Sequence, residues 1–110
     1  MHQGYGAVEL LGGSDRERVA TISKGAYGNG YLLEVAAAIA GQPKDRFRQI
    51  DIIETTGLQQ NLVFATMKKL EAAGLVTRLP KEGRDQPFVR EVSVYWENAQ
   101  RHLAELVREA

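Results

Sequence analysis

Apolar side chains recur at helical spacing in the middle of the chain. From Tyr31 onward they stand at positions i, i+3, i+4 and i+7, which are Leu32, Val35, Ala36 and Ile39. A single apolar stripe at this spacing predicts an amphipathic helix whose striped face is buried. Gly41 and Pro43 follow the stripe, and both residue types end helices. The pattern therefore predicts a helix that begins near Tyr31 and ends before Gly41.

Two further helices are predicted, and a short polar break separates them. The second covers residues 46–54, and the third covers residues 59–73 with Val63, Met67 and Leu70 as its inner stripe. The break between them ends in a glycine, which favours a tight turn and a steep crossing of the two helices.

A β-hairpin is predicted after the third helix. Residues 75–79 predict a short strand, and residues 88–95 alternate apolar and polar side chains as a returning strand does. Residues 80–87 are charged and contain Gly83, so they predict an exposed loop at the tip of the hairpin.

Residues 96–109 predict a C-terminal helix that is charged except along one apolar stripe. The stripe residues are Trp96, Ala99, Leu103, Leu106 and Val107. A stripe this apolar is too hydrophobic to face water, so it packs either on the first helix of the same chain or on a second copy. The second copy is favoured, and these five residues are the predicted dimer interface.

Glycine is frequent in residues 1–30 and disfavours regular structure there. The segment is predicted to be an irregular arm, with short helical pieces at residues 8–11 and 16–23. Residues 31–110 then form the folded domain.

The predicted elements follow the order helix, helix, tight turn, helix, strand, charged loop, strand. Residues 70–76 read Leu-Glu-Ala-Ala-Gly-Leu-Val, in which Gly74 ends the helix and the last two residues return the chain to the core. The charged loop carries the pair Gly83 and Arg84. Both features resemble the recognition-helix end and the wing of bacterial winged helix-turn-helix regulators, above all the ArsR and MarR classes. The resemblance covers about residues 30–108 and implies a mainly α fold with a small β-hairpin wing.

This resemblance implies a dimeric transcriptional regulator, often a repressor, that binds double-stranded DNA. The third helix of such a regulator lies in the major groove, and the wing meets phosphates or the minor groove beside it. Candidate DNA contacts share an exposed position in these elements and suitable chemistry: Arg46, Arg48, Gln59, Gln60, Asn61, Thr66, Lys68, Lys81, Arg84 and Arg90. The amides suit adenine, Thr66 suits a thymine methyl group or a phosphate, and the cations neutralise phosphates.

Charge is distributed unevenly although the net charge is zero. Residues 42–90 hold nine Lys and Arg against six Asp and Glu, and both flanking segments are acidic. A basic centre agrees with nucleic-acid binding. The chain has no cysteine, which excludes disulfides, cysteine nucleophiles and metal sensing of the ArsR type through thiolates.

The middle of the third helix departs from the DNA-reading pattern. Phe64, Ala65 and Thr66 stand there, and no charge precedes Lys68. Phe64 is either half buried against the second helix or exposed, and an exposed apolar face suits a protein partner. The alternative function is therefore a winged-helix protein–protein interaction module that does not read DNA directly.

An enzyme is not expected, because His2 and His102 have no nucleophile or carboxylate pattern beside them. No cofactor and no metal are expected either. The sequence lacks the roughly 20-residue apolar run that spans a membrane, and a cytoplasmic location is expected.

Overall fold

The computed structural model describes residues 13–108 of the chain. Helices dominate this range, and three short strands form one small sheet. In chain order the elements are α1 Gly13–Tyr27, α2 Leu32–Ala40, β1 Arg46–Arg48, α3 Gln49–Thr56, α4 Gln60–Ala72, β2 Val76–Arg78, β3 Pro87–Arg90 and α5 Val94–Arg108. The mainly helical class with a small hairpin is the class that the sequence predicts.

The sheet is antiparallel with strand order β1-β3-β2. Strand β1 corrects the predicted second helix, because residues 46–48 are extended and α3 begins only at Gln49. Phe47 is buried between two exposed arginines, pairs with Phe88 and stacks on it with ring centroids 6.0 Å apart. This cross-strand pair draws the segment into the sheet.

Helix α1 contains the helical piece predicted at residues 16–23 and corrects the irregular arm predicted around it. From Gly13 to Tyr27 the chain is one continuous helix, in which Val19 is 1% exposed. The Ser23 hydroxyl donates to the carbonyl of Asn29 at 2.7 Å and accepts from the backbone N–H of Leu33 at 3.1 Å. Packing on the core therefore outweighs the cost of glycine in a helix. The helical piece predicted at residues 8–11 lies outside the described residues.

Helix α2 is the centre of the core. Residues 33–39 are all buried, so the predicted one-sided stripe is too narrow. The reason is that α1, α3 and α5 all pack on α2. Three consecutive alanines at 36–38 let these neighbours approach closely.

The apolar stripe of α5 packs along α2 in the same chain. Trp96, Ala99, Leu103 and Leu106 are each at most 8% exposed, and Val107 packs partly buried beside them. The prediction that these residues form a dimer interface is therefore wrong, because the chain's own core already covers them. The indole N–H of Trp96 also donates to the carbonyl of Glu91 at 2.7 Å.

A buried ion pair joins α1 to the rest of the core. Glu34 on α2 is 1% exposed, and its Oε2 lies 2.6 Å from Nη2 of Arg16 on α1. The same guanidinium donates to the carbonyl of Thr56 at the end of α3. Burial raises the pKa of Glu34, and the hydrogen bonds and charge of Arg16 oppose that rise. Arg16 thus ties three helices together through one side chain.

Candidate nucleic-acid interface

A tight turn joins α3 to α4. Gly57 has φ 72°, a left-handed conformation that favours glycine, and its N–H donates to the carbonyl of Ile53 at 2.8 Å. The Thr56 hydroxyl donates to Ile52 and accepts from the N–H of Leu58, which is 6% exposed. These contacts fix the angle between the two helices, as the glycine in the sequence predicts.

Helix α4 has one buried face and one open face. Val63, Thr66, Met67 and Leu70 are buried. Because a helix turns 100° per residue, Asn61, Ala65 and Lys68 lie together on the opposite face, and all three are exposed. Phe64 is 40% exposed on the flank of that face.

The loop between β2 and β3 is compact and presents cations. The backbone N–H and carbonyl groups of Glu82 and Asp85 bond each other at 2.9 and 3.0 Å. Gly83 between them has φ 62°. Lys81, just before this turn, and Arg84, within it, are exposed.

A concavity of about 430 Å³, the α4–hairpin groove, lies between α3, α4 and this loop. Its charged lining holds four cations and one carboxylate: Lys68, Arg78, Lys81, Arg84 and Asp85. Its apolar lining is Ile50, Ile53 and Phe64, and its amide lining is Gln49, Gln60 and Gln86. The groove thus combines an excess of positive charge with an exposed apolar floor.

Three of the four groove cations are open to a ligand. Within residues 15–107, no carboxylate lies at ion-pair distance from Lys68, Lys81 or Arg84. Arg78, which is not among the contacts predicted from the sequence, pairs with Glu71 at 3.0 Å and lies 5.0 Å over the ring of Phe88. Its exposed partner costs little to displace.

Arg46 and Arg48 lie beside the groove on β1, and not on a helix as predicted. Arg46 pairs with Glu82 at 2.6 Å, and Arg48 pairs with Asp51 at 2.8 Å and with Asp85 at 3.3 Å. Burial alone would raise the pKa of Asp51, but the hydrogen bonds and charge of Arg48 outweigh burial and lower that pKa. The same contacts raise the pKa of Arg48. As with Arg78, these surface pairs must be displaced before either arginine can meet a phosphate.

Two predicted DNA contacts are wrong. Thr66 is 1% exposed, and its hydroxyl donates to the carbonyl of Leu62 at 2.9 Å. Arg90 caps the end of α2, where its Nη1 donates to the carbonyls of Ile39 at 2.8 Å and Ala40 at 2.9 Å. It also pairs with Asp45 at 3.0 Å. Thr66 is buried, and the side chain of Arg90, which is 15% exposed, is held by the end of α2 and by Asp45.

The three amides predicted to read bases are exposed at the start of α4. Gln59 is the N-cap residue, with an extended backbone at φ −64° and ψ 149° and no capping bond from its side chain. Gln60 lines the α4–hairpin groove, and Asn61 follows on the open face. All three side chains are therefore placed to meet a ligand.

The described residues hold no cluster of three or more His, Cys, Asp or Glu that could bind a metal ion. No helix in that same range is long and apolar enough to cross a membrane.

No family model, no curated protein and no solved structure matches this chain. The resemblance to ArsR and MarR regulators therefore stays a prediction from the sequence.

Proposed function

We propose that this chain is a sequence-specific, double-stranded DNA-binding domain of a transcriptional regulator. The observation that carries the proposal is the α4–hairpin groove, where Gln60, Phe64 and Lys68 of α4 meet the hairpin loop beside the open face of the helix, and where three cations have no carboxylate partner among residues 15–107. In this role α4 lies in the major groove, and the hairpin contacts the backbone beside it.

The dimensions and charges fit a duplex. Helix α4 has 13 residues, which corresponds to about 20 Å, and a helix of this size fits the major groove. Lys68, Lys81 and Arg84 would each neutralise a phosphate. Release of counterions by three such contacts corresponds to a salt slope of roughly −3 per chain. This modest slope agrees with a chain of zero net charge.

Base reading in this proposal comes from the start of α4. Asn61 on the open face and Gln60 on its flank carry amides that can bond bidentately to adenine N6 and N7. Thr66 and Arg90 have no part in it, since both are held inside the fold.

The dimer predicted from the sequence stays a prediction, and the α5 stripe cannot supply its interface. Among residues 15–107, the large exposed hydrophobic residues outside the groove are Tyr27, Val92 and Val94. A dimer would present two α4 helices to half-sites one helical turn apart.

A protein-docking module is the second candidate function. The exposed floor of the groove supports it, since Ile50 is 36% and Phe64 is 40% exposed. Apolar side chains on an open face are typical of protein contacts. The unpaired cations around the floor favour DNA over this alternative.

Selection of bound sequences from random duplexes, followed by fluorescence anisotropy, tests the proposal. Asn61→Ala should weaken the selected duplex about 10- to 100-fold and random duplexes far less. Asn98→Ala, on the exposed part of α5, is the matched control and should change neither. If no duplex is bound at low salt by the folded protein, the DNA proposal is wrong and the docking candidate replaces it.

A further inference from the structure

The middle of the open α4 face carries no hydrogen-bonding side chain. Phe64 is 40% exposed, and the neighbouring Ala65 is exposed as well. We call these two residues the apolar step. Asn61 lies one turn before Ala65, and Lys68 lies one turn after Phe64. Polar side chains therefore bracket the apolar step along the helix.

The structure excludes Thr66, the residue that the sequence predicts to contact a thymine methyl group. Thr66 has the methyl group that such a contact needs, but it is 1% exposed and its hydroxyl bonds to Leu62. In the middle of α4, the apolar step is therefore exposed to a ligand and Thr66 is not.

The phenyl ring of Phe64 has support on one side. It shares the lining of the α4–hairpin groove with Ile50 and Ile53 from α3. A ring that is partly buried loses little further rotational freedom when it binds, so its remaining apolar surface is available for contact at low entropic cost.

In the major groove, one base-edge feature is apolar, namely the 5-methyl group of thymine. We propose that the phenyl ring of Phe64 in the apolar step contacts this methyl group, so that the domain distinguishes thymine from uracil in an otherwise identical base pair. This inference rests on the proposed DNA-binding function. The cations Lys68, Lys81 and Arg84 around the same groove favour a phosphate-bearing occupant over an uncharged protein surface.

Replacement of each thymine of the selected duplex by deoxyuridine tests the inference. The exchange removes one methyl group and leaves the charges and the hydrogen-bonding groups unchanged. At one or two positions per half-site, affinity should fall about fourfold, which is the effect of one methyl-sized apolar burial. Deoxyuridine in the flanking DNA is the control and should have no effect.

Two variants of Phe64 connect the methyl group to the apolar step. Phe64→Gln should reduce the thymine-to-uracil affinity ratio to about one, whereas Phe64→Leu should keep a ratio above one because leucine remains apolar. Gln60→Ala is a matched change one turn away, and it should lower affinity while the fourfold ratio persists.

The possible results separate the two proposals. DNA binding with a ratio of one at every thymine overturns the methyl contact and leaves the proposed function intact. A ratio that survives in Phe64→Gln also overturns it, because the methyl group then meets another residue. Absence of all DNA binding overturns both, and it leaves the apolar step as a surface for a protein.

Discussion

Two apolar surfaces of this protein differ in what covers them. The α5 stripe from Trp96 to Val107 lies against α2, and Leu103 in its middle is 1% exposed. The floor of the α4–hairpin groove carries Ile50 and Phe64, which are 36% and 40% exposed. Hydrophobicity alone therefore does not mark an interface. What distinguishes the two surfaces is whether another helix of the same chain closes them, and only the groove is left open.

The largest effect on stability is expected from a change in the α5 stripe. Leu103→Ala should lower the free energy of unfolding by about 2–5 kcal/mol, because it empties a fully buried site between α5 and α2. Val94→Ala on the same helix, where the side chain is 73% exposed, should change it by less than about 0.5 kcal/mol. Urea denaturation measures both.

Light scattering on the same proteins sharpens this comparison. If Leu103→Ala leaves the unfolding free energy unchanged and instead reduces the mass from dimer to monomer, the α5 stripe lies between chains. That result would contradict the conclusion that α2 of the same chain covers the α5 stripe.

Loss of the buried ion pair should have the next largest effect. Arg16→Met leaves Glu34 buried and without its partner, and should destabilise the fold by about 3 kcal/mol near neutral pH. Arg101→Met, on an exposed pair of α5, is the control and should change stability by less than about 1 kcal/mol.

The pH dependence of that variant follows from the raised pKa of Glu34. A folded-state pKa above the ordinary value of 4.5 means that the folded protein binds the proton more tightly than the unfolded chain does. The contribution of Glu34 to stability is therefore fully present below 4.5 and is lost as the pH rises through the folded-state pKa. In Arg16→Met the pKa of Glu34 rises further. The loss of unfolding free energy that this variant causes should therefore become smaller as the pH is lowered toward 4.5. A deficit that does not change with pH would contradict the assignment.

A smaller effect on stability is expected in the open groove. Phe64→Ala should cost less than about 1.5 kcal/mol, whereas Phe88→Ala, at a position that is 0% exposed, should cost about 3–5 kcal/mol. Thermal unfolding compares them. Equal losses of stability would mean that Phe64 belongs to the core and is not an exposed part of the groove floor.

The elements that lie close together in the sequence were predicted well. The third helix, the glycine turn before it and the presence of a hairpin after it depend on local periodicity and on stop signals such as Gly57 and Gly74. The returning strand predicted over residues 88–95 is too long, because only Pro87–Arg90 pair in the sheet and α5 already begins at Val94. Strand β1 was missed because three residues gain an extended conformation only by pairing with β3, about 40 residues later. Of helix α1 only the piece at residues 16–23 is predicted, because the continuous helix from Gly13 to Tyr27 depends on packing on α2, which no local pattern reports.

Part of the site was predictable and part was not. Thr66 stands three residues after Val63 and four before Leu70, so its place in the buried stripe of α4 follows from the sequence alone. Arg90 gives no such signal, since the carbonyls that it binds are about 50 residues away. Whether the α5 stripe is covered by the same chain or by a second copy also depends on such distant contacts.

The salt dependence of DNA affinity tests the central claim, that the α4–hairpin groove is the DNA-binding surface. The double variant Lys81→Gln with Arg84→Gln should flatten the plot of log affinity against log salt by about two units of slope for every duplex. Lys24→Gln with Arg101→Gln removes the same charges from α1 and α5, outside the groove, and should leave the slope unchanged. An unchanged slope in the groove variant, or an equal change in both, would contradict the claim.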